Sequence, residues 1–253
     1  MIFYTVVTNN DMVVPDIDMP DEIPCILYHD FDFDVKPKGY ELVKIPKLFD
    51  NPVFTQRYYK ILSHRFIRDE TIYFDSTANL TRSVITNKLS RRGANICTIN
   101  NCYRRSYFDE LFDWFISGYI SLDQAIKFTS FLKNIHFDFT KFRAYHNWFV
   151  YRKYSQETIA FNELWWSYFI KFGIRDQLPF GIASAYLDMK PATLEVNEVC
   201  DFFNPRKYDR EDKAYPQQVK NKSLIMDFKN KINKILQQDN KINAVILGHR
   251  LNT

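Results

Sequence analysis

The sequence predicts an α/β domain in which a mostly parallel sheet is flanked by helices. Continuously apolar runs at Ile2–Val7, 23–28 and Thr71–Phe74 have the two-sided hydrophobicity of buried parallel strands. Between them lie stretches with helical apolar spacing, residues 51–67 above all. Strand and helix alternate through roughly the first hundred residues, the order that builds a parallel sheet covered by helices. In such sheets ligands bind beyond the carboxyl ends of the strands.

Composition narrows the class. A chain of 253 residues with 46% hydrophobic content can bury a substantial core in one large domain. Aromatics make up 17%, while the six glycines never cluster, which excludes a glycine-rich phosphate loop and with it a P-loop ATPase or a glycine-fingerprint dinucleotide enzyme. The net charge of +4 is modest, although residues 82–105 and 206–241 are locally basic and form either a solvated face or a face for a polyanion. Cys25, Cys97, Cys102 and Cys200 lack zinc spacing and read as reduced thiols of an intracellular protein. Residues 2–7 lack the features of a signal segment, and no run has the length of a membrane span, so a soluble, cytoplasmic protein is expected.

Taken in order, the first strand, Ile2–Val7, closes on Thr8-Asn9-Asn10-Asp11, and the second, 23–28, on His29-Asp30. Residues 40–45 make a third. Asn51-Pro52 opens a helix reaching about Ile67, with Phe54, Tyr58, Ile61 and Leu62 at helical spacing and Arg57, Lys60 and His64 on another face. Thr71–Phe74 is a strand ending at Asp75. A helix over 83–92 and a strand over 94–99 follow, then helices over Tyr107–Ile116 and 121–134, the latter with Ser121 as N-cap. Residues 148–152 form a strand, and 157–172 an aromatic helix stopped by Gly173. Residues 204–218 are polar and proline-punctuated, hence a loop or flap. Residues 223–238 put Leu224, Ile225, Phe228, Ile232 and Ile235 on one helical face, and 244–247 make a last strand.

Several residues have the chemistry for a site. Asp75 projects from a strand end into the expected crevice, where a carboxylate holds a cation or forms a turn. Asp11 and Asp30 occupy the ends of the first two strands, with Arg57 and Lys60 on the neighbouring helix: either a nucleoside and an anion are held there, or these are turn formers and a solvated helix face. His29 and His64 are further contact candidates. Arg104 and Glu110 flank a helix entry, as an anion clamp and as an acid answering the helix dipole. Trp165 and Trp166 face different directions, so one belongs to the core and the other can serve as a sugar-stacking platform. Arg175-Asp176-Gln177 interrupts a strongly aromatic region. A buried Asp there is paired or functional, as general base, nucleophile, stabiliser of an oxocarbenium-like centre or half of a salt bridge.

These segments, from Phe3 to about Leu187, resemble a glycosyltransferase-like family of bacteria and of plant Golgi proteins of the turgor-regulation and mucilage type. The marks are Tyr4 to Asp11, Cys25 to Asp30, Arg57 with Lys60, Tyr73-Phe74-Asp75, Arg104 with Glu110, and Trp165-Trp166 followed by Arg175-Asp176-Gln177-Leu178. The chain departs from the family pattern at Asn101-Cys102 and at Pro179.

The resemblance implies a GT-A-like, Rossmann-type fold: a domain over 1–190, with a nucleotide-sugar half to about residue 100 and an acceptor half after it, and 191–253 as a flap and helix packed on the same domain. It implies transfer of a sugar from a nucleotide-diphosphate donor to an acceptor hydroxyl, on a surface glycan or on a modified base of phage DNA. Donor contacts fall to Thr8, Asp11, His29 and Asp30 at the first two strand ends, and to Arg57, Lys60, Asp75 and Thr77 around the diphosphate. Acceptor contacts fall to Arg104, Glu110, Trp165 and Trp166. Asp176, Gln177 and Arg175 stand at the reaction centre. Mn or Mg is expected on Asp75 with His249, and the Asp176-Gln177 pair favours retention of anomeric configuration. The alternative is a non-catalytic carbohydrate- or nucleic-acid-binding module that kept the fold, which the lack of a second acid beside Asp75 favours.

Overall fold

The computed structural model describes residues 1–8, 14–20, 22–80, 93–100, 106–173, 175–202 and 222–237. The elements expected at 83–92, 204–218 and 244–247 lie outside the described residues, as do Asp11, Arg104 and His249. In chain order the elements are β1 (Ile2–Val7), β2 (Cys25–His29), β3 (Glu41–Lys44), α1 (Pro52–Ile61), β4 (Thr71–Phe74), β5 (Asn79–Leu80), β6 (Ile96–Asn100), α2 (Tyr107–Ile116) and α3 (Leu122–Asn134). Then come β7 (Tyr145–Arg152), α4 (Gln156–Phe172), α5 (Gln177–Tyr186), β8 (Ala192–Leu194), α6 (Val196–Val199), β9 (Cys200–Phe202) and α7 (Lys222–Gln237).

Seven strands form one sheet in the order β3-β2-β1-β4-β7-β6-β8, and β5 pairs with β9 in a separate ribbon. Within the large sheet β7 alone runs against its neighbours β4 and β6; the other pairings are parallel. The fold is therefore mixed α/β. The chain leaves β1 for β2 and β3 on one side and then crosses to β4 on the other, so strand order reverses between β1 and β4. A crevice beyond the carboxyl ends of the strands is expected at such a point.

Alternation along the strands separates two cores. Tyr4, Val6 and Tyr73 point into the larger one with Trp114, Phe128, Trp165 and Phe180 from the helices. Phe3, Ile72 and Phe74 point into the smaller one, which is covered by Ile17, Met19, Leu80 of β5 and Val199 of α6. Helix α7 joins the larger core, with Phe228 stacked on Phe115 at 4.5 Å between ring centroids.

Three local features set the geometry of the carboxyl edge. Helix α1 starts with Asn51 accepting from the Val53 amide at 3.0 Å and Pro52 in the first turn. It ends at Ile61, short of the expected Ile67, and passes into a 3-10 turn at Ser63–Arg65. Its last carbonyls accept from a distant side chain: the buried guanidinium of Arg152 on β7 donates to Lys60 O at 2.9 Å and Ile61 O at 3.2 Å, and also meets the Tyr4 hydroxyl. Strand β7 starts at Tyr145 rather than Trp148 and bulges opposite Thr98–Ile99, where the Thr98 hydroxyl lies 2.9 Å from both His146 O and Phe149 O. Finally, Gly173 ends α4 at φ 68°. A new helix then opens at Asp176, whose carboxylate makes no cap hydrogen bond.

Candidate functional site

Four charged residues from three separate segments meet at the carboxyl edge. Asp176, first in line before α5, has a side chain only 5% exposed. Its Oδ2 lies 2.7 Å from Lys60 Nζ and its Oδ1 lies 3.3 Å from Arg57 Nε. Lys60, 2% exposed, reaches from α1 over the ring of Tyr73, 4.6 Å from its centroid, and stands 4.0 Å from Asp75 Oδ1. The Tyr73 hydroxyl donates to that same Oδ1 at 2.6 Å and accepts from Gln56 Nε2 at 3.3 Å. The Gln56 carbonyl oxygen in turn accepts from Arg57 Nη1.

The backbone of Asp176 is as firmly placed as its side chain. Its carbonyl accepts from Trp165 Nε1 at 2.9 Å, from Asn147 Nδ2 at 3.3 Å and from the Phe180 amide at 3.0 Å. The β7 bulge supplies Asn147, and the Trp165 ring is locked edge-on against Phe180, 4.8 Å between centroids.

Electrostatics follow from burial and pairing. Burial alone raises the pKa of Asp176, but Arg57 and Lys60 outweigh it and hold the carboxyl below its usual range. Burial pushes the Lys60 ammonium down, against the pull of Asp176. Burial, reinforced by the charge of Asp75, drives the Tyr73 phenol well up, so it stays a hydrogen-bond donor.

The centre also carries unmet hydrogen-bonding capacity. Of six buried side-chain atoms without a hydrogen-bond partner among the described residues, three are here: Arg57 Nε, Asn147 Oδ1 and Asp176 Oδ2. Two of the three are nonetheless ion-paired, Oδ2 with Lys60 Nζ at 2.7 Å and Arg57 Nε with Asp176 Oδ1 at 3.3 Å, which leaves Asn147 Oδ1 as the atom with neither a hydrogen bond nor an ion pair among the described residues. A small, partly open pocket lined by Ser63, His64, Arg152 and Asn162 lies at the amino edge, and its volume of about 10 Å³ suits a single water.

The other expected contacts divide between edge and core. Thr8, Asp30 and Thr77 follow the carboxyl ends of β1, β2 and β4, and the Thr8 hydroxyl donates to Pro52 O at 2.8 Å, tying α1 to β1. His29 sits among Phe31 and Phe33 with Nδ1 2.6 Å from Phe31 O. Arg175 stacks on Tyr119 at 3.8 Å and meets Gln177 Oε1 at 3.5 Å, so the partner of Asp176 is not its neighbour in sequence but Lys60 and Arg57.

Glu110 is wholly buried in α2, accepting from Trp114 Nε1 at 2.9 Å, and Trp165 is wholly buried behind Asp176. Neither offers a surface to an acceptor. Trp166 lies in an aromatic seam with Phe49, Tyr58 and Phe169 between α1 and α4. Gln56, Tyr73 and Asn147 belong to the centre without having been singled out for it. Tyr73 precedes the strand-end acid, and the polar His146-Asn147 pair before an apolar run was the available sign of the bulge.

A divalent cation does not fit the described donor set. No three His, Cys, Asp or Glu side chains gather among the described residues. Asp75 Oδ1 is already bonded to Tyr73 with an ammonium beside it, and the second acid of the centre is engaged by two cations. Hard divalent ions need several anionic or neutral oxygens, and buried positive charges oppose them.

No model of a protein family matches the chain, and no curated protein does. A solved structure does. Mouse xyloside xylosyltransferase 1, in its apo form, aligns with a TM-score of 0.43 at 8% identity, over 76% of this chain and 84% of that one. The likeness is one of backbone course, and no residue role is carried over from it. Among the described residues no helix is long and apolar enough to cross a membrane.

Proposed function

We propose that the chain is a glycosyltransferase that moves a sugar from a nucleotide-diphosphate donor to an acceptor hydroxyl. The observation that supports this is the convergence of Arg57, Lys60, Asp75 and Asp176 where strand order reverses. A leaving diphosphate needs positive charge fixed in advance and shielded from water, and α1 supplies two such charges there. Asp75, 40% exposed, is the acid placed to accept from hydroxyls of the donor sugar.

Asp176 is a positioning residue in this reading. Both of its oxygens face cations, and a carboxylate held that way is a weak base and a weak nucleophile. It fixes Lys60 and Arg57 rather than attacking the sugar.

The test is a screen of nucleotide sugars for thermal stabilisation, followed by turnover. A donor at a hundred times its Kd stabilises by about 2.7 kcal/mol, which raises Tm measurably. Asp176→Asn is expected to lower turnover at least about tenfold and to shift the pH-rate profile, because Lys60 loses its counter-ion. A chain that no nucleotide sugar stabilises, and that turns none over, is not a glycosyltransferase; a donor that binds without turnover points to the non-catalytic module. A DNA acceptor would announce itself by duplex binding that falls steeply with salt.

A further inference from the structure

We propose that the site takes the diphosphate of its donor on the Arg57 guanidinium, with Lys60 behind it, and works without a divalent cation. The inference rests on the glycosyltransferase reading and departs from the Mn or Mg dependence that the sequence resemblance implies.

Charge count and exposure support it. Arg57, Lys60 and Asp176 form the interior of the centre and carry one net positive charge, which Asp75 balances from the exposed side, at 40% exposure against 19% for Arg57, 5% for Asp176 and 2% for Lys60. Arg57 is therefore the cation that meets an incoming ligand. Its Nε leans on Asp176 and its Nη1 on Gln56, which fixes the plane of the fork. A planar guanidinium so held suits a phosphate oxygen. Lys60, buried against the Tyr73 ring and paired with Asp176, acts through the field of its charge. A diphosphate would complete this arrangement, whereas a divalent ion on Asp75 would add positive charge next to an ammonium already 4.0 Å from the carboxylate.

The experiment titrates ADP, CDP, GDP and UDP into the full chain by calorimetry, with excess EDTA and with saturating Mn. One of them is expected to bind with affinities within about twofold in the two media. Asp75→Asn separates the two mechanisms by sign. Removing a negative charge beside the phosphates tightens binding by about threefold if Arg57 is the receptor, and weakens it in Mn if Asp75 is a metal ligand. Arg57→Ala is expected to weaken binding at least about tenfold, with Arg57→Lys recovering part of the loss; if the alanine variant is unfolded by circular dichroism, the lysine variant and Asp75→Asn carry the test. Binding that appears only with Mn, or that Asp75→Asn weakens, overturns the proposal and leaves the glycosyltransferase reading standing. Absence of binding by every nucleoside diphosphate in both media overturns that reading and the proposal together.

Discussion

The Lys60 ammonium lies 2.7 Å from the Asp176 carboxylate, with both side chains nearly sealed from solvent. Removing one member leaves the other charged and buried, the costly case for an internal ion pair. Asp176→Ala is expected to lower stability by about 3–5 kcal/mol in urea unfolding. The double change Lys60→Met with Asp176→Leu is expected to recover part of that loss, since apolar residues of like size do not need pairing while Arg57 still lacks its carboxylate. A double variant no more stable than Asp176→Ala would show that the pair does more than neutralise itself.

Asp176 also predicts an acid limb of stability. Its folded pKa lies below the unfolded value of about 3.9, so between the two the unfolded chain binds more protons. The contribution is complete above about pH 3.9 and is lost as pH falls through the folded value. Urea midpoints measured across this range should fall less steeply for Asp176→Asn than for the wild type.

Arg152→Met tests the other end of α1. The substitution leaves Ile61 O without this donor and removes one of two donors from Lys60 O, which keeps the Tyr4 hydroxyl at 2.8 Å, all in a buried setting. A loss of about 3 kcal/mol is expected by chemical denaturation. A donor titration on the folded variant should also show weaker binding, because Arg57 and Lys60 ride on the same helix.

Gly181→Ala tests the placement of α5. A Cβ there would stand 2.5 Å from the Arg143 carbonyl oxygen and closer still to the Phe142 ring, and the carbonyl belongs to backbone that cannot swing aside. The expected cost is about 1–3 kcal/mol in thermal or urea unfolding. Because Asp176 opens this helix, nucleotide-sugar affinity should fall as well.

Much of the fold was legible because burial on both faces leaves a plain trace. Ile2–Val7, Thr71–Phe74 and Tyr107–Ile116 appear with the bounds that their apolar runs and spacing predict. Ser121 caps the next helix in a full capping box with Gln124. Helix α5 left no such trace, since it holds Pro179 and Gly181 and is buried on nearly all sides, so it has no polar face to set a period. The direction of β7 and its start at Tyr145 depend on pairing with β4 and β6, which a run of residues does not record.

The site was legible by residue type and not by environment. Arg57, Lys60, Asp75 and Asp176 carry the right chemistry at strand and helix ends, and the structure brings them together. Arg57 and Lys60, three apart on a helix, read equally well as a solvated face. That Tyr73 roofs Lys60 and that Asn147 holds the Asp176 carbonyl are long-range contacts, set by the closure of β4 on β7.

Helix α1 is fastened at both ends, by the Thr8 hydroxyl on Pro52 O and by Arg152 on Lys60 O and Ile61 O. Its two cations therefore ride on a rigid rod, and a ligand arriving at the crevice has little conformational freedom left to remove from them. Its contacts with these two cations should form at the rate of encounter, and stopped-flow mixing should show no slow phase that Arg57→Lys removes.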